Sequence, residues 1–324
     1  MPCSIFTIDS RVNFEIPKSM EGLFMPVISI QNLKKYYGKS RGADAVTMDV
    51  EEGEIYGFIG PNGAGKSTTI KLLLGLLKAD SGSATIFGTD VLKDSRAVKS
   101  RIGYVPGDVR YYPDMKVSYL LDMTLRFHQK NPADYKAKTK EICEIFSIDP
   151  TKQFESLSLG NKKKVAIAQA VIHNPDLILL DEPTNGLDPL IQKNLFDYLQ
   201  SVNREGTTIL FSSHNLSEVK ANCGRAGFIK DGKIIETEDL ASNEHQEKVV
   251  TVTLGNSSGF ALPSSLPGTG RLLKQEDRKY SFHYAGDTVP LLKYLSTLAP
   301  SDILIEDESL ESRFLSYYEG GKKA

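Results

Sequence analysis

Gly60-Pro61-Asn62-Gly63-Ala64-Gly65-Lys66-Ser67 follows the apolar run Ile55-Tyr56-Gly57-Phe58-Ile59 and precedes Leu72, Leu73, Leu76 and Leu77 at helical spacing. The stretch fits G-x-x-x-x-G-K-[ST], and a strand before it with a helix after it is the context that gives that pattern meaning. Glycines let the backbone curl so that successive N–H groups face a phosphate. The helix expected over 66–77 adds the positive end of its dipole. Lys66, expected at a solvent-facing junction of loop and helix, reaches the β- and γ-phosphates, and Ser67 offers its hydroxyl to Mg²⁺. Gly60, Pro61, Asn62, Gly63, Ala64, Gly65, Lys66, Ser67 and Thr68 are therefore the expected nucleotide-binding segment.

Around this loop, apolar strands alternate with helices from residue 27 to about 240. Val27-Ile28-Ser29-Ile30 opens the series, and Ile102-Gly103-Tyr104-Val105-Pro106 reads as a further strand. Leu177-Ile178-Leu179-Leu180 and Thr208-Ile209-Leu210-Phe211 are almost wholly apolar. Helices are expected over 117–129, 133–146 and 161–173. Continuous apolar strands interleaved with helices predict an α/β fold with a mostly parallel sheet covered on both faces. The polar segment 239–248 (DLASNEHQEK) reads as a linker. Beyond it, strands at 249–254, 279–283 and 303–305 and helices at 288–298 and 310–318 predict a small α+β domain over 241–324. Residues 1–24 follow neither period for long, so they read as an extension, with Met25 a possible alternative start.

Composition excludes several classes. The chain has 324 residues, 40% hydrophobic and 25% charged, which is globular rather than disordered. Lys and Arg total 39 against 41 Asp and Glu, without the basic excess of a general nucleic-acid binder. No run of 18 apolar residues predicts a membrane-spanning helix. Asp9, Arg11, Glu15 and Lys18 interrupt the N-terminus, so no signal peptide is expected. The three scattered cysteines, Cys3, Cys143 and Cys223, predict neither a disulfide framework nor a zinc site and fit a reducing compartment.

Asp181 and Glu182 end the apolar run that begins at Leu177. A carboxylate leaving a buried strand beside a phosphate loop can hold Mg²⁺ through water, the expected role of Asp181. Glu182 can then accept a proton from the attacking water. His214 ends the next strand after Ser212-Ser213, where it can reach a γ-phosphate. An acidic strand end facing solvent is the plain alternative for the pair.

With these motifs in order, the sequence resembles the ATPase subunit of an ATP-binding cassette (ABC) transporter over about 27–240. Leu157-Ser158-Leu159-Gly160-Asn161 stands where that family carries LSGGQ. The resemblance implies a P-loop NTPase cassette over 25–240, with a helical subdomain over about 108–173 that docks on a membrane partner. It implies two cassettes stacked head to tail, as a homodimer or heterodimer, each ATP lying between one phosphate loop and the partner's signature. Ser158 and Gly160 would then touch the γ-phosphate across the interface, and Asp188 would link the two sites. Tyr37 matches the aromatic that stacks on adenine, though a strand-end aromatic packed on the core is the alternative. The implied protein hydrolyses ATP with Mg²⁺ and powers an exporter whose permease is a separate transmembrane chain. It would lie in the cytoplasm, peripheral to the inner face of the cell membrane, with no nucleic-acid partner.

Three positions depart from the family pattern. Leu159 replaces a glycine, Asn161 replaces glutamine but can still cap and hydrogen-bond, and Gly107 stands where a glutamine normally contacts Mg²⁺ and the attacking water. Asp108 is the candidate to substitute through water. Other readings stay open at this point. A soluble cassette acting on ribosomes or DNA would usually carry a second cassette, coiled coils or zinc modules. A GTPase would need N-K-x-D, and Asn161-Lys162-Lys163-Lys164 lacks the acid. A nucleotide-dependent switch remains conceivable given Gly107. Lys162-Lys163-Lys164 reads as a solvated helix face. Leu266-Pro267-Gly268-Thr269-Gly270 spells a sorting pentapeptide but lacks the apolar segment and basic tail, so it reads as a loop. The Asn215 and Asn256 sequons carry no weight in a cytosolic protein.

Overall fold

The computed structural model describes residues 26–128, 131, 134–240, 248–255 and 269–307. The stretch 1–24, residues 241–247 of the expected linker, residues 266–268 of the pentapeptide, the Asn256 sequon and the expected helix at 310–318 lie outside them. In chain order the elements begin with β1 (Ile28–Tyr37), β2 (Ser40–Val50), β3 (Ile55–Ile59), α1 (Lys66–Leu73), β4 (Ser81–Ile86), β5 (Thr89–Asp90), α2 (Arg96–Lys99) and β6 (Ile102–Val105). There follow α3 (Val117–Phe127), α4 (Tyr135–Ile145), α5 (Leu159–Val171), β7 (Leu177–Asp181), α6 (Pro189–Arg204), β8 (Thr208–Ser213), α7 (Leu216–Asn222), β9 (Arg225–Lys230) and β10 (Lys233–Asp239). The last are β11 (Lys248–Leu254), β12 (Thr269–Glu276), β13 (Lys279–Ala285), α8 (Thr288–Thr297) and β14 (Pro300–Asp307).

The central sheet runs β10-β9-β3-β8-β7-β6, and every pair from β9 to β6 is parallel. Only β10 pairs antiparallel, on β9. All residues of β7 and β8 are buried. Their side chains alternate between two apolar cores, as the period of a strand requires. Ile178 and Leu180 join Ile209 and Phe211 in the core beneath α3–α6, whereas Leu177, Leu179 and Leu210 join the opposite core with α1 and β1. The expected α/β fold with a mostly parallel, doubly covered sheet is thus present. An antiparallel sheet, β2-β1-β4-β5, supplies one of the covers.

Helix boundaries follow local chemistry. α1 stops at Leu73, short of 77, because Gly75 takes φ +63 and turns the chain away. Leu76 is consequently exposed. α5 begins at Leu159, earlier than 161, because the Ser158 side chain caps it by accepting from the Asn161 N–H at 3.4 Å. The cap is therefore Ser158 and not Asn161. α6 starts at Pro189 behind Asp188, with Ile191, Leu195 and Leu199 buried on one face.

The last four strands form their own antiparallel sheet, β12-β13-β11-β14. Val250, Val252, Phe282 and Tyr284 pack with Leu291 and Leu295 of α8 in a third core. β12 was not expected. Thr269 and Gly270, read above as loop, are drawn into it by pairing with Ala285 and Tyr284. No helix among the described residues is long and apolar enough to cross a membrane.

α5 lies directly on β6, and Gly103 makes that approach possible. A methyl group there would stand 2.1 Å from the Ala170 carbonyl oxygen. Gly103→Ala must push the helix off the strand, and a loss of about 1–3 kcal/mol is expected. A urea melt with an unchanged slope would show it as a lowered midpoint; an unshifted midpoint would contradict the packing.

Candidate functional site

The phosphate loop leaves β3 and turns into α1 through Gly63 at φ +80 and Gly65 at φ +115, which only glycine adopts without strain. Gly60 and Gly65 also permit close packing. A Cβ on Gly60 would lie 2.4 Å from the Ile229 carbonyl oxygen, and one on Gly65 would lie 2.3 Å from that of Gly42. Ala64 is buried beneath the curl. A cavity of about 210 Å³ opens here, lined by Tyr37, Arg41 and Gly42 on one side and by Asn62, Gly63, Gly65, Lys66, Ser67, Thr68 and Glu182 on the other. Tyr37 is half exposed, so it is not part of the core, and its hydroxyl stands 3.5 Å from Thr68 Oγ1.

Lys66 does not face solvent as its sequence position suggested. Only 4% of its side chain is exposed, because the curled loop offers carbonyls inward. Its ammonium donates to Gly60 O at 2.6 Å and Pro61 O at 3.2 Å, and pairs with Glu182 Oε1 at 3.0 Å. Asp181, at the C-terminal end of β7, is 2% exposed. Its Oδ1 accepts from Ser67 Oγ at 2.9 Å and from Ser212 Oγ at 2.8 Å. Ser67 and Asp181, the two residues expected at the metal, are thus brought into direct contact.

Glu182 takes φ +48, a strained backbone conformation for a non-glycine residue. Its backbone N–H donates to Ser212 Oγ at 3.0 Å. Its second oxygen accepts from Asn185 Nδ2 at 2.6 Å and lies 3.0 Å from His214 Nδ1. Burial pushes the Glu182 carboxyl up, but the bonds from Lys66, Asn185 and His214 outweigh it and hold the group below its ordinary value. It is ionised at neutral pH.

Ser158, Gly160 and Asp188 stand outside this cavity. Ser158 caps α5, and Asp188 caps α6 by accepting from the Ile191 N–H at 3.0 Å. Gly160 abuts the turn at Gly186, whose carbonyl oxygen would lie 2.8 Å from an added Cβ. Leu159 between them is exposed.

Two charged residues are placed differently from expectation. Asp108 is bonded to Arg110 at 2.7 Å with both side chains exposed, and no contact joins it to Ser67 or Asp181 among the described residues. Its carboxylate forms a surface ion pair with Arg110 and makes no direct contact with the expected metal-binding groups among the described residues. Lys163, read as part of a solvated face, is 3% exposed. It points inward because its helix packs against the sheet on that side. Its ammonium donates to Pro106 O at 2.9 Å, Gly107 O at 3.3 Å and Asp181 O at 3.4 Å. Burial lowers its pKa to about 8, against the pull of Asp181, Glu182 and Asp108.

Sequence reading missed Ser212, Arg41 and Gly42. A signal for Ser212 existed, since Ser212-Ser213 puts hydroxyls at the end of a wholly buried strand. Gly42 admits Tyr37, whose ring carbon would lie 2.8 Å from an added Cβ.

A parallel sheet whose first strand feeds a glycine loop, a buried lysine and a helix, with paired acids ending a neighbouring strand, defines a phosphate-loop nucleotide hydrolase. The family model "ABC transporter" matches residues 43–185. The bacitracin transport ATP-binding protein BcrA of Bacillus licheniformis is 38% identical over 65% of this chain and 69% of its own length. The lantibiotic transport ATP-binding protein SrtF of Streptococcus pyogenes is 38% identical over 69% of this chain and 95% of its own. A solved ATP-binding subunit of an ABC transporter superposes with TM-score 0.62 at 27% identity, covering 66% of this chain and 90% of that one. The chain belongs to the ATP-binding subunits of ABC transporters, ATPases that power a membrane transporter.

The buried Lys66–Glu182 pair changes what a lysine substitution does without nucleotide. Lys66→Met strands a carboxylate that is only 15% exposed, so the ligand-free protein is expected to melt earlier. In a double-mutant cycle with Glu182→Gln, the coupling is expected at about 1–3 kcal/mol. Additive effects in calorimetry would show that the pair contributes nothing.

Proposed function

We propose that Lys66, Ser67, Asp181 and Glu182 hydrolyse ATP with Mg²⁺ between two copies of the cassette, driving an exporter from the inner face of a membrane. The observation that carries this is that Lys66, Ser67 and Glu182 line the cavity that Tyr37 flanks, with Asp181 bonded to Ser67 just beneath it. The donors suit a hard ion: one hydroxyl oxygen and one buried carboxylate leave room for phosphate oxygens and water. Among the described residues no cluster of three His, Cys, Asp or Glu offers a closed protein cage, in keeping with a shared Mg²⁺. Bound there, Mg²⁺ would neutralise charge on the phosphates.

The roles follow from the contacts. The loop's N–H groups and the start of α1 hold the phosphates. Arrival of the γ-phosphate offers Lys66 a stronger partner than Glu182, which frees Glu182 Oε1. That oxygen accepts a proton from water as the water oxygen attacks the γ-phosphorus and the bond to ADP breaks. His214 and Asn185 fix the opposite carboxylate oxygen. Tyr37 supplies a face for adenine. Ser158 and Gly160, away from this cavity, are free to serve a nucleotide on a second copy, with Asp188 beside them.

The division of the chain is part of the same reading, with a cassette up to about 240 and a small α+β domain beyond it. The separate third core supports that division. Relatives named as ATP-binding proteins of bacitracin and lantibiotic transport support the transport role proposed here.

Glu182→Gln is expected to slow hydrolysis by about 100- to 10,000-fold while ATP binding persists. Turnover close to wild type would remove Glu182 from the chemistry. The same variant should accumulate an ATP-dependent dimer in size-exclusion chromatography, and adding Ser158→Arg should dissolve it. A dimer surviving both changes would separate Ser158 from the nucleotide.

A further inference from the structure

Lys163 occupies the second turn of α5, the helix that Ser158 caps. A cation buried to 3% exposure is costly unless its donors are satisfied. An ammonium has three N–H donors, and Pro106, Gly107 and Asp181 supply a carbonyl for each. Those carbonyls come from two separate segments, the loop after β6 and the end of β7. The two segments also run close together, since a Cβ on Gly107 would lie 3.2 Å from Asp181 Oδ2. An apolar side chain of similar length would fill the same space without desolvating a charge, so packing alone does not account for a lysine here.

We infer that Lys163 is a positioning residue for hydrolysis, bracing the Gly107 loop against the Asp181 end of β7 and tying both to the helix that begins at Ser158. This rests on the reading of Asp181 and Glu182 as the hydrolytic carboxylates. It touches neither nucleotide nor metal position through its own side chain. It acts by fixing where the Asp181 backbone ends and where the loop beside it lies.

The test uses the full chain carrying Lys163→Met or Lys163→Gln, with turnover, nucleotide affinity and thermal melting read on each. Met removes charge and donors; Gln keeps two donors without charge, so it retains bonds that hold the fold. For Lys163→Met, kcat is expected to fall about tenfold with KM and fluorescent-ATP affinity changed by less than about threefold. For Lys163→Gln the fall is expected at about threefold, again in kcat alone, and this variant decides if the Met protein does not fold. Wild-type kcat in the deciding variant overturns the inference. So does an equal loss of affinity and kcat, the mark of a merely structural lysine. Glu182→Gln is run alongside. If it turns over normally, the hydrolytic reading fails and the brace with it. If it is slow while Lys163→Met is fast, the brace alone fails.

Discussion

A carboxylate with almost no access to water must be held by hydrogen bonds, or it destabilises the fold that buries it. Asp181 is such a group, at the end of a strand whose every residue is buried. Two hydroxyls satisfy the same oxygen: Ser67 from the phosphate loop and Ser212 from the neighbouring strand. The tether therefore joins three segments far apart in sequence. It fixes the start of α1 relative to β7 and β8, and with it the height at which the loop's N–H groups stand above the sheet. Ser212 works twice, since its oxygen also accepts the N–H of Glu182. The strained turn at Glu182 is held from the same point that holds Asp181. On the proposed reading, the geometry for binding and for proton transfer thus depends on one buried cluster of oxygens.

The second constraint is electrostatic. Lys66 and Glu182 are both largely withdrawn from solvent, and each is the other's closest opposite charge. Without nucleotide they neutralise one another, which lets a phosphate loop exist as a folded object instead of an unpaired cation beneath a curl of carbonyls. On the proposed reading, a γ-phosphate, which carries more charge than a carboxylate, would draw Lys66 from Glu182 and release the base only when substrate is present, so the pairing that stabilises the resting protein would be the one that the substrate breaks.

Much of this was legible in the sequence. The loop pattern and the apolar run into Asp181 each combine local chemistry with local structure, and both stand in the structure where the sequence puts them. What escaped reading was non-local. β2, with Ser40, Arg41, Gly42 and Asp44, is poor in strand formers, and its pairing with β1 is broken by register shifts, so no period shows. Lys66 looked exposed because nothing in the loop itself reveals that Glu182, more than a hundred positions on, closes over it. Lys163 looked solvated because a run of three lysines is ordinarily a surface face. Only the packing of α5 on β6 through Gly103 decides which of the three turns inward.

Gly107 joins these observations. Read against the family pattern it is a missing ligand, and a neighbour was expected to compensate. The structure instead shows a loop that runs close to the strand end: a Cβ at 107 would lie 3.2 Å from Asp181 Oδ2, and Asp108 pairs with Arg110 at the surface. A glycine lets the loop come that close, and close approach brings two loop carbonyls over the Lys163 ammonium. A larger residue at 107 would require the loop or the carboxylate to give by a few tenths of an ångström, beside the carbonyls that hold the cation. The absence of a side chain at 107 and the presence of a charge at 163 are therefore one arrangement, in which backbone dipoles held by a cation order the ground beside the carboxylate that a side-chain amide would otherwise occupy.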